Sequence, residues 1–273
     1  MEHFATDVIS VATARAVAAL LDRQPDEMTA GLELPELWHW FHFLPVVRRS
    51  ERGDDGHPRR GAFLPPIALP RRMWAGGRLR FHQSLCIGEQ AERRSEVISV
   101  EEKHGRSGPL VFVTVRHVIT GPNGIALEEQ QDLVYRDAPR PDEPRRSTTA
   151  PQEAAQWTET FHPDSVTLFL FSALTLNGHR IHYDQSYATR IEGYPALVVH
   201  APLIALLLLD SAARRTGRKP ATYSYRAVGP LYNEEPFTIA GRSPGEDESE
   251  MWATDGNGML GMRARVEWKA SNG

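Results

Sequence analysis

The sequence predicts an α+β protein made of two similar halves, each an antiparallel sheet packed on a buried helical segment. Three observations predict it. Apolar segments of helical character precede runs of strand-like sequence twice along the chain. The stretch Asp137 to Gln152 (DAPRPDEPRRSTTAPQ) has four prolines, many charges and almost no large apolar side chain, so it reads as a linker near the middle. Each half also contains an Asn-Gly turn followed by a long strand of mixed apolar and charged residues. These are Gly121-Pro122-Asn123-Gly124 before Ile125–Arg136, and Asp255-Gly256-Asn257-Gly258 before Met259–Lys269. The repeat reads as a diverged tandem duplication, with halves at 1–137 and 153–273 and a linker at 138–152.

In order, residues 5–22 space Ala5, Val8, Ile9, Val11, Ala12, Val17, Leu20 and Leu21 as an amphipathic helix does, and Gln24-Pro25-Asp26 ends it. An aromatic stretch follows from Leu34 to Leu44. The polar segment Arg48 to Arg60 is a loop, and Pro45, Pro58, Pro65, Pro66 and Pro70 stiffen what surrounds it. Strands are expected at Leu79–Ile87, Ala91–Glu102, Leu110–Ile119 and Ile125–Tyr135, separated by glycine-rich turns. In the second half, the apolar segment Val166–Leu176 leads into a polar loop. A helix then runs from about Leu197 to Arg215 and is capped by Gly217. It is apolar on nearly all sides, so it should be enclosed. Strands return at Ala221–Val228, Pro236–Ala240, Glu250–Ala253 and Met259–Lys269.

The 273 residues carry a net charge of −4, with 41% apolar and 24% charged side chains. That composition supports a packed core and gives no global basic excess for nucleic acid. The single cysteine, Cys86, excludes an intrachain disulfide or a multi-cysteine metal site and fits a reducing compartment. The most apolar run, Ala196 to Leu209, is shorter than the roughly 20 residues a bilayer requires and contains His200. With no secretory pattern at the N-terminus, a cytoplasmic protein off the membrane is expected.

The densest polar cluster is Asn177-Gly178-His179-Arg180-Ile181-His182-Tyr183-Asp184, a loop between two apolar segments. Two imidazoles, an amide and a carboxylate equip it for acid–base chemistry near neutral pH. The segment Glu192 to Leu203 starts the buried helix, where unpaired amides beside His200 and Ala201 can hold a developing oxyanion.

These two segments together resemble the MaoC-like, hot-dog-fold hydratases and dehydratases, whose motif is Asp-x-Asn-Pro-x-His-x-Asp followed by a Val-x-His-Gly-like helix. The similarity is greatest to the itaconyl-CoA and mesaconyl-CoA hydratases and to the type-2 3-hydroxyacyl-thioester dehydratases. Phe171 to Asp184, Phe63-Leu64-Pro65-Pro66 and Pro70 to Gly77 all resemble that subgroup. The resemblance implies a double hot dog, each half an antiparallel sheet wrapped around a central helix, with one active site in the C-terminal half and binding walls from the N-terminal half. Such a chain stands alone or pairs as a homodimer. The implied reaction is reversible hydration of an α,β-unsaturated acyl-CoA, with CoA belonging to the substrate and no metal or other cofactor.

The motif places His182 on the catalytic histidine and Asn177 where the family has aspartate. An amide takes no proton at neutral pH. His182 is therefore expected to move the proton, Asn177 to orient the water, and Asp184 to fix the imidazole tautomer or supply the missing carboxylate, with His179 a weaker candidate. His200, Ala201 and Tyr183 are expected near the thioester. Arg180, Arg71 and Arg72 are candidates for a substrate carboxylate or CoA phosphates. Trp74, with Trp38 and Trp40, is a candidate tunnel wall. Rival readings are a dehydratase of longer monocarboxylic thioesters, a non-catalytic acyl-CoA binder and a thioesterase.

Overall fold

A computed structural model describes residues 2–61, 63–105, 108–137, 148–150 and 154–270. Ten strands form one antiparallel sheet. They are β1 (Glu2–Val8), β2 (Arg71–Phe81), β3 (Gln90–Gly105), β4 (Gly108–Gly121), β5 (Gly124–Arg136), β6 (Trp157–Phe161), β7 (Pro220–Ala227), β8 (Phe237–Gly245), β9 (Glu248–Thr254) and β10 (Leu260–Trp268). Three helices accompany them: α1 (Val11–Leu20), α2 (Ser165–Leu174) and α3 (Ala201–Thr216). The strand order is β1-β3-β4-β5-β2-β7-β10-β9-β8-β6. The first five strands and the last five thus follow the same order outward from a shared seam. The two Asn-Gly turns occupy matching hairpins, β4–β5 and β9–β10. Most of the expected linker, residues 138–147 and 151–152, lies outside the described residues.

At the seam, Gly76 to Arg80 of β2 pair with Thr222 to Arg226 of β7. The glycine pair is there for close approach. A Cβ on Gly77 would lie 2.7 Å from the Tyr225 hydroxyl, and one on Gly76 would lie 2.5 Å from the Tyr225 carbonyl. Bulkier residues would push β2 and β7 apart.

α3 packs against β7, β8, β9, β10 and β2. Leu203, Ala205, Leu208 and Ala212 are completely buried, as its all-round apolarity requires. Gly217 closes it in the left-handed region, φ 65°. The helix begins at Ala201 rather than Leu197. Val198 and Val199 are instead tied in extended form to Ile181 and Leu231.

Three local expectations are corrected. Residues 2–8 form a strand, not the first turns of a helix. Their backbone pairs with β3, and Ser10 Oγ accepts from the amides of Ala12 and Thr13, which fixes the helix start. The motif segment Arg71 to Gly77 is part of β2, because its backbone finds partners on both β5 and β7, and the strand ends at Phe81 rather than Ile87. β6 follows the linker unannounced by sequence; its five residues are too few to show periodicity.

The halves also differ. α1 packs on α2 and on the short turns that follow it. In the N-terminal half, therefore, no long helix among the described residues fills the inner face of the sheet. That face carries Ser95, His117, Glu129 and Gln131, and it borders a cavity of about 1530 Å³ between the halves. In β4 the strict two-residue alternation that buries Val111, Val113, Val115 and Ile119 also turns His117 inward.

Candidate active site

α2 ends at Leu174, and Leu176 turns the chain at φ 46°, an uncommon value for leucine, into the polar loop. Asn177 Oδ1 accepts from the His179 amide at 3.1 Å. This local turn leaves the Asn177 amide nitrogen as its free donor. Arg180–His182 form one 3-10 turn, which buries Ile181 and His182.

His182 is the best-defined group. Its Nδ1–H donates to the Val198 carbonyl at 2.7 Å. That bond fixes the tautomer and leaves Nε2 as a lone-pair acceptor. The ring lines the cavity. Burial pulls its pKa down to about 4, against the opposing effect of the Val198 bond, so it is neutral at pH 7. His200 stacks on it, with centroids 3.7 Å apart and planes at 19°. His200 is fully buried and hydrogen-bonded through Nε2 to Ser172 Oγ at 2.8 Å. Burial, then the neighbouring His182 and His179, hold its pKa well below normal.

His200 also occupies the residue just before α3, but its side chain does not cap the helix. Pro202 has no N–H, and the Ile204 amide is bonded to the His200 carbonyl. The Ala201 amide therefore stands at the helix start, where Ala201 lines the same cavity as His182. A neutral imidazole acceptor and a helix-end donor thus share one wall.

A second loop completes that wall. Gly56 passes so close to Gly178 that a Cβ on either would collide with the other's carbonyl. The Asp55 carbonyl accepts from the Arg180 amide at 3.0 Å, and the Asp54 carbonyl from Arg180 Nη1 at 3.2 Å. This docking brings His57 against His179, centroids 4.3 Å apart, and His179 in turn meets His182 edge-on at 5.5 Å. His57 Nδ1–H donates to Asp55 Oδ2 at 3.1 Å. Burial raises the Asp55 pKa, but the His57 hydrogen bond and charge outweigh this and hold the carboxyl low. In the sequence, residues 48–60 look like a plain polar loop, and Asp55-Gly56-His57 is the one sign of a site there.

Of the expected site residues, Asn177, His179, His182, Ala201, Arg71, Arg72 and Trp74 line the cavity. Four others are displaced. Asp184 does not reach His182, whose Nδ1 is already taken by Val198. It pairs with Arg180 at 2.8 Å and accepts from the Tyr187 amide. Arg180 lies over the Tyr187 ring, occupied by that pairing. The Tyr183 hydroxyl donates to the Gly178 carbonyl and fastens the loop from outside. His200 sits behind His182 rather than at the cavity surface. Arg71, though lining, is paired with Glu192 at 3.0 Å and donates to the Tyr194 hydroxyl.

The opposite wall was also missed. Glu129 is buried and ionised: burial raises its pKa, but His39 above all more than compensates. It accepts from His39 Nε2 at 3.1 Å, Trp40 Nε1 at 2.9 Å and Gln131 Nε2 at 3.0 Å. Trp40 meets Trp74 edge-on at 5.4 Å, so two of the three tryptophans do face the cavity, while Trp38 is core. For metals, Asp55, His57 and His179 bring ligand atoms within 4.8 Å of one another.

Residues 37–233, spanning both walls, match the hydroxyacyl-thioester dehydratase type 2 family. The chain belongs to that family. It is accordingly a hydro-lyase of the hydratase and dehydratase type with an α+β hot-dog fold. It is 45% identical over 261 residues to the mesaconyl-C(4)-CoA hydratase of Chloroflexus aurantiacus, covering 96% of this chain and 93% of that one. It is 24% identical to the mitochondrial hydroxyacyl-thioester dehydratase type 2 of Schizosaccharomyces pombe, over 80% of this chain and 81% of that one. Among solved structures, a MaoC-like dehydratase from Phytophthora capsici superposes with a TM-score of 0.70 at 13% identity, over 99% of this chain and 96% of that one. No helix among the described residues of this family member is long and apolar enough to cross a membrane.

Proposed function

We propose that this hydro-lyase adds water reversibly to a short dicarboxylic enoyl-CoA of the mesaconyl or itaconyl type, with His182 as the proton-transferring group. The observation that carries the reading is the free Nε2 of a neutral, tautomer-locked imidazole on the same cavity wall as the start of α3. In the hydration direction, water gives a proton to His182 Nε2 as its oxygen bonds to the β-carbon. The alkene electrons shift onto the thioester oxygen, which the Ala201 N–H stabilises. The imidazolium then returns the proton to the α-carbon as the carbonyl re-forms. Asn177 donates to the water oxygen and orients it. Acid–base help of this kind contributes about 100- to 10,000-fold.

The dicarboxylic assignment is supported by the 45% identical mesaconyl-C(4)-CoA hydratase. The N-terminal half contributes the polar far wall, which suits a polar acyl group better than a long aliphatic tail. The chemistry calls for no cofactor beyond the CoA of the substrate. A cytoplasmic location suits the single cysteine.

The test is His182→Asn, followed by the loss of enoyl-thioester absorbance with methylfumaryl-CoA and itaconyl-CoA. The expected result is a fall in kcat of about 100-fold or more with KM little changed. Hydration at the wild-type rate would refute the assignment. Release of free CoA would point to a thioesterase instead.

A further inference from the structure

Seven arginines border the cavity, and most are already engaged. Arg60 donates to the carbonyls of Ile67, Leu69 and Pro70, and Arg71 is held by Glu192. Arg59 donates to the Arg52 carbonyl. Arg136 has a partner, and Arg226 is exposed on an outer position of β7. Arg93 lies over the Phe43 ring on the far wall, within the field of Glu129 and Asp7. Arg72, half-buried against the cavity, has no acidic or hydrogen-bonding partner among the described residues either, and unlike Arg93 it lies beside the reactive loop. Its charge bears on both His57 and His179.

The two imidazoles differ in what they still offer. His57 gives its Nδ1–H to Asp55 and keeps Nε2 as a lone pair, while among the described residues the His179 ring makes no hydrogen bond and keeps an N–H to give. A guanidinium and an open imidazole N–H therefore border the cavity beside the base, and the Asp55 carboxylate is already bonded to His57. An uncompensated cation beside an open N–H donor is an anion site.

Resting on the hydratase reading above, we propose that Arg72 and His179, backed by the His57 ring packed against His179, form the subsite for the free carboxylate of the acyl group. In a short dicarboxylic enoyl-CoA, that carboxylate lies only one or two bonds from the alkene. An anchor must then adjoin the proton-transferring ring, and His179 lies between His57 and His182. CoA phosphates are a whole pantetheine arm from the alkene and do not fit this place. Asp55 is a positioning residue here: it orients His57, and its loop is held by the Gly56–Gly178 contact. Asp55, His57 and His179 could alternatively hold a cation, but the Arg72 charge opposes one.

The test compares kcat/KM for methylfumaryl-CoA with that for crotonyl-CoA, which lacks the second carboxylate. In Arg72→Met the ratio should fall about 10- to 100-fold, the usual worth of a charge-assisted hydrogen bond, and Arg72→Lys should restore part of it. A ratio within threefold of wild type would overturn the proposal. Should these variants not fold, the wild-type enzyme still decides. Free methylfumarate should inhibit crotonyl-CoA hydration at least tenfold better than its monomethyl ester; equal inhibition overturns the proposal. Stoichiometric zinc binding that is lost in His57→Gln would overturn it as well. Failure of the hydratase reading looks different, because then His182→Asn retains hydration of both thioesters.

Discussion

Acid should destabilise this protein more than its composition suggests, and His182 should account for a measurable share. Burial holds His42, His117 and His182 each at a pKa of about 4 in the folded chain. Unfolded, each titrates near 6.5. The folded rings stay neutral at pH 5 while the unfolded rings bind protons. Their contribution is therefore complete above about pH 6.5 and is lost as pH falls toward 4. By linkage, each ring costs about 2 kcal/mol between pH 7.5 and pH 5. Three such rings sum to roughly 6 kcal/mol, comparable with the whole stability of many domains. His179 and His200 are lowered further, so each adds a similar loss by pH 5 and goes on adding below pH 4, where the first three level off. Asp55 and Glu129 are held low and remain ionised, so they offset none of it at pH 5. The assay is urea unfolding at pH 7.5 and pH 5, with wild type and His182→Gln. Glutamine does not titrate, so the variant should lose about 2 kcal/mol less over that interval. Identical losses in the two proteins would refute the reasoning. The same ring should keep kcat/KM level from pH 8 to about 5, with a decline set by a pKa near 4.

Three further outcomes are expected. Ala201→Pro removes one N–H at the first helical position, which proline tolerates, and His200 already has ψ 127°, as a residue before proline requires. It should cut kcat about 100- to 1000-fold with little change in Tm; an unaltered kcat would remove the amide from the mechanism. Gly56→Ala meets both φ 89° and the Gly178 carbonyl, so it should cost at least about 1–3 kcal/mol and lower kcat/KM through a displaced His179. Thermal unfolding and hydration rates measured together check it. Glu129→Leu strands His39, Trp40 and Gln131 without their shared acceptor, and a loss of about 3–5 kcal/mol in urea midpoint analysis is expected.

Local sequence by itself determined the apolar helix α3, the hairpins at both Asn-Gly turns and the presence of a reactive loop at 177–184. Each follows from neighbours within a few turns of chain: continuous apolarity, glycine at a left-handed position, alternating burial. Sequence also singled out His182, through the resemblance of Asn177–Asp184 to the MaoC-like motif. It could not show what each side chain there touches. Asp184 is two residues from His182 and four from Arg180; only the 3-10 turn and the extended Val198 decide that the first pair separates and the second meets. Nor could it show that residues 53–57, more than 120 positions earlier, lie against residues 177–180. That contact needs two glycine backbones at van der Waals range and has no periodic signature. The cavity has the same origin. It exists because no long helix among the described residues covers the inner face of β3, β4 and β5, a difference between two halves with the same strand order.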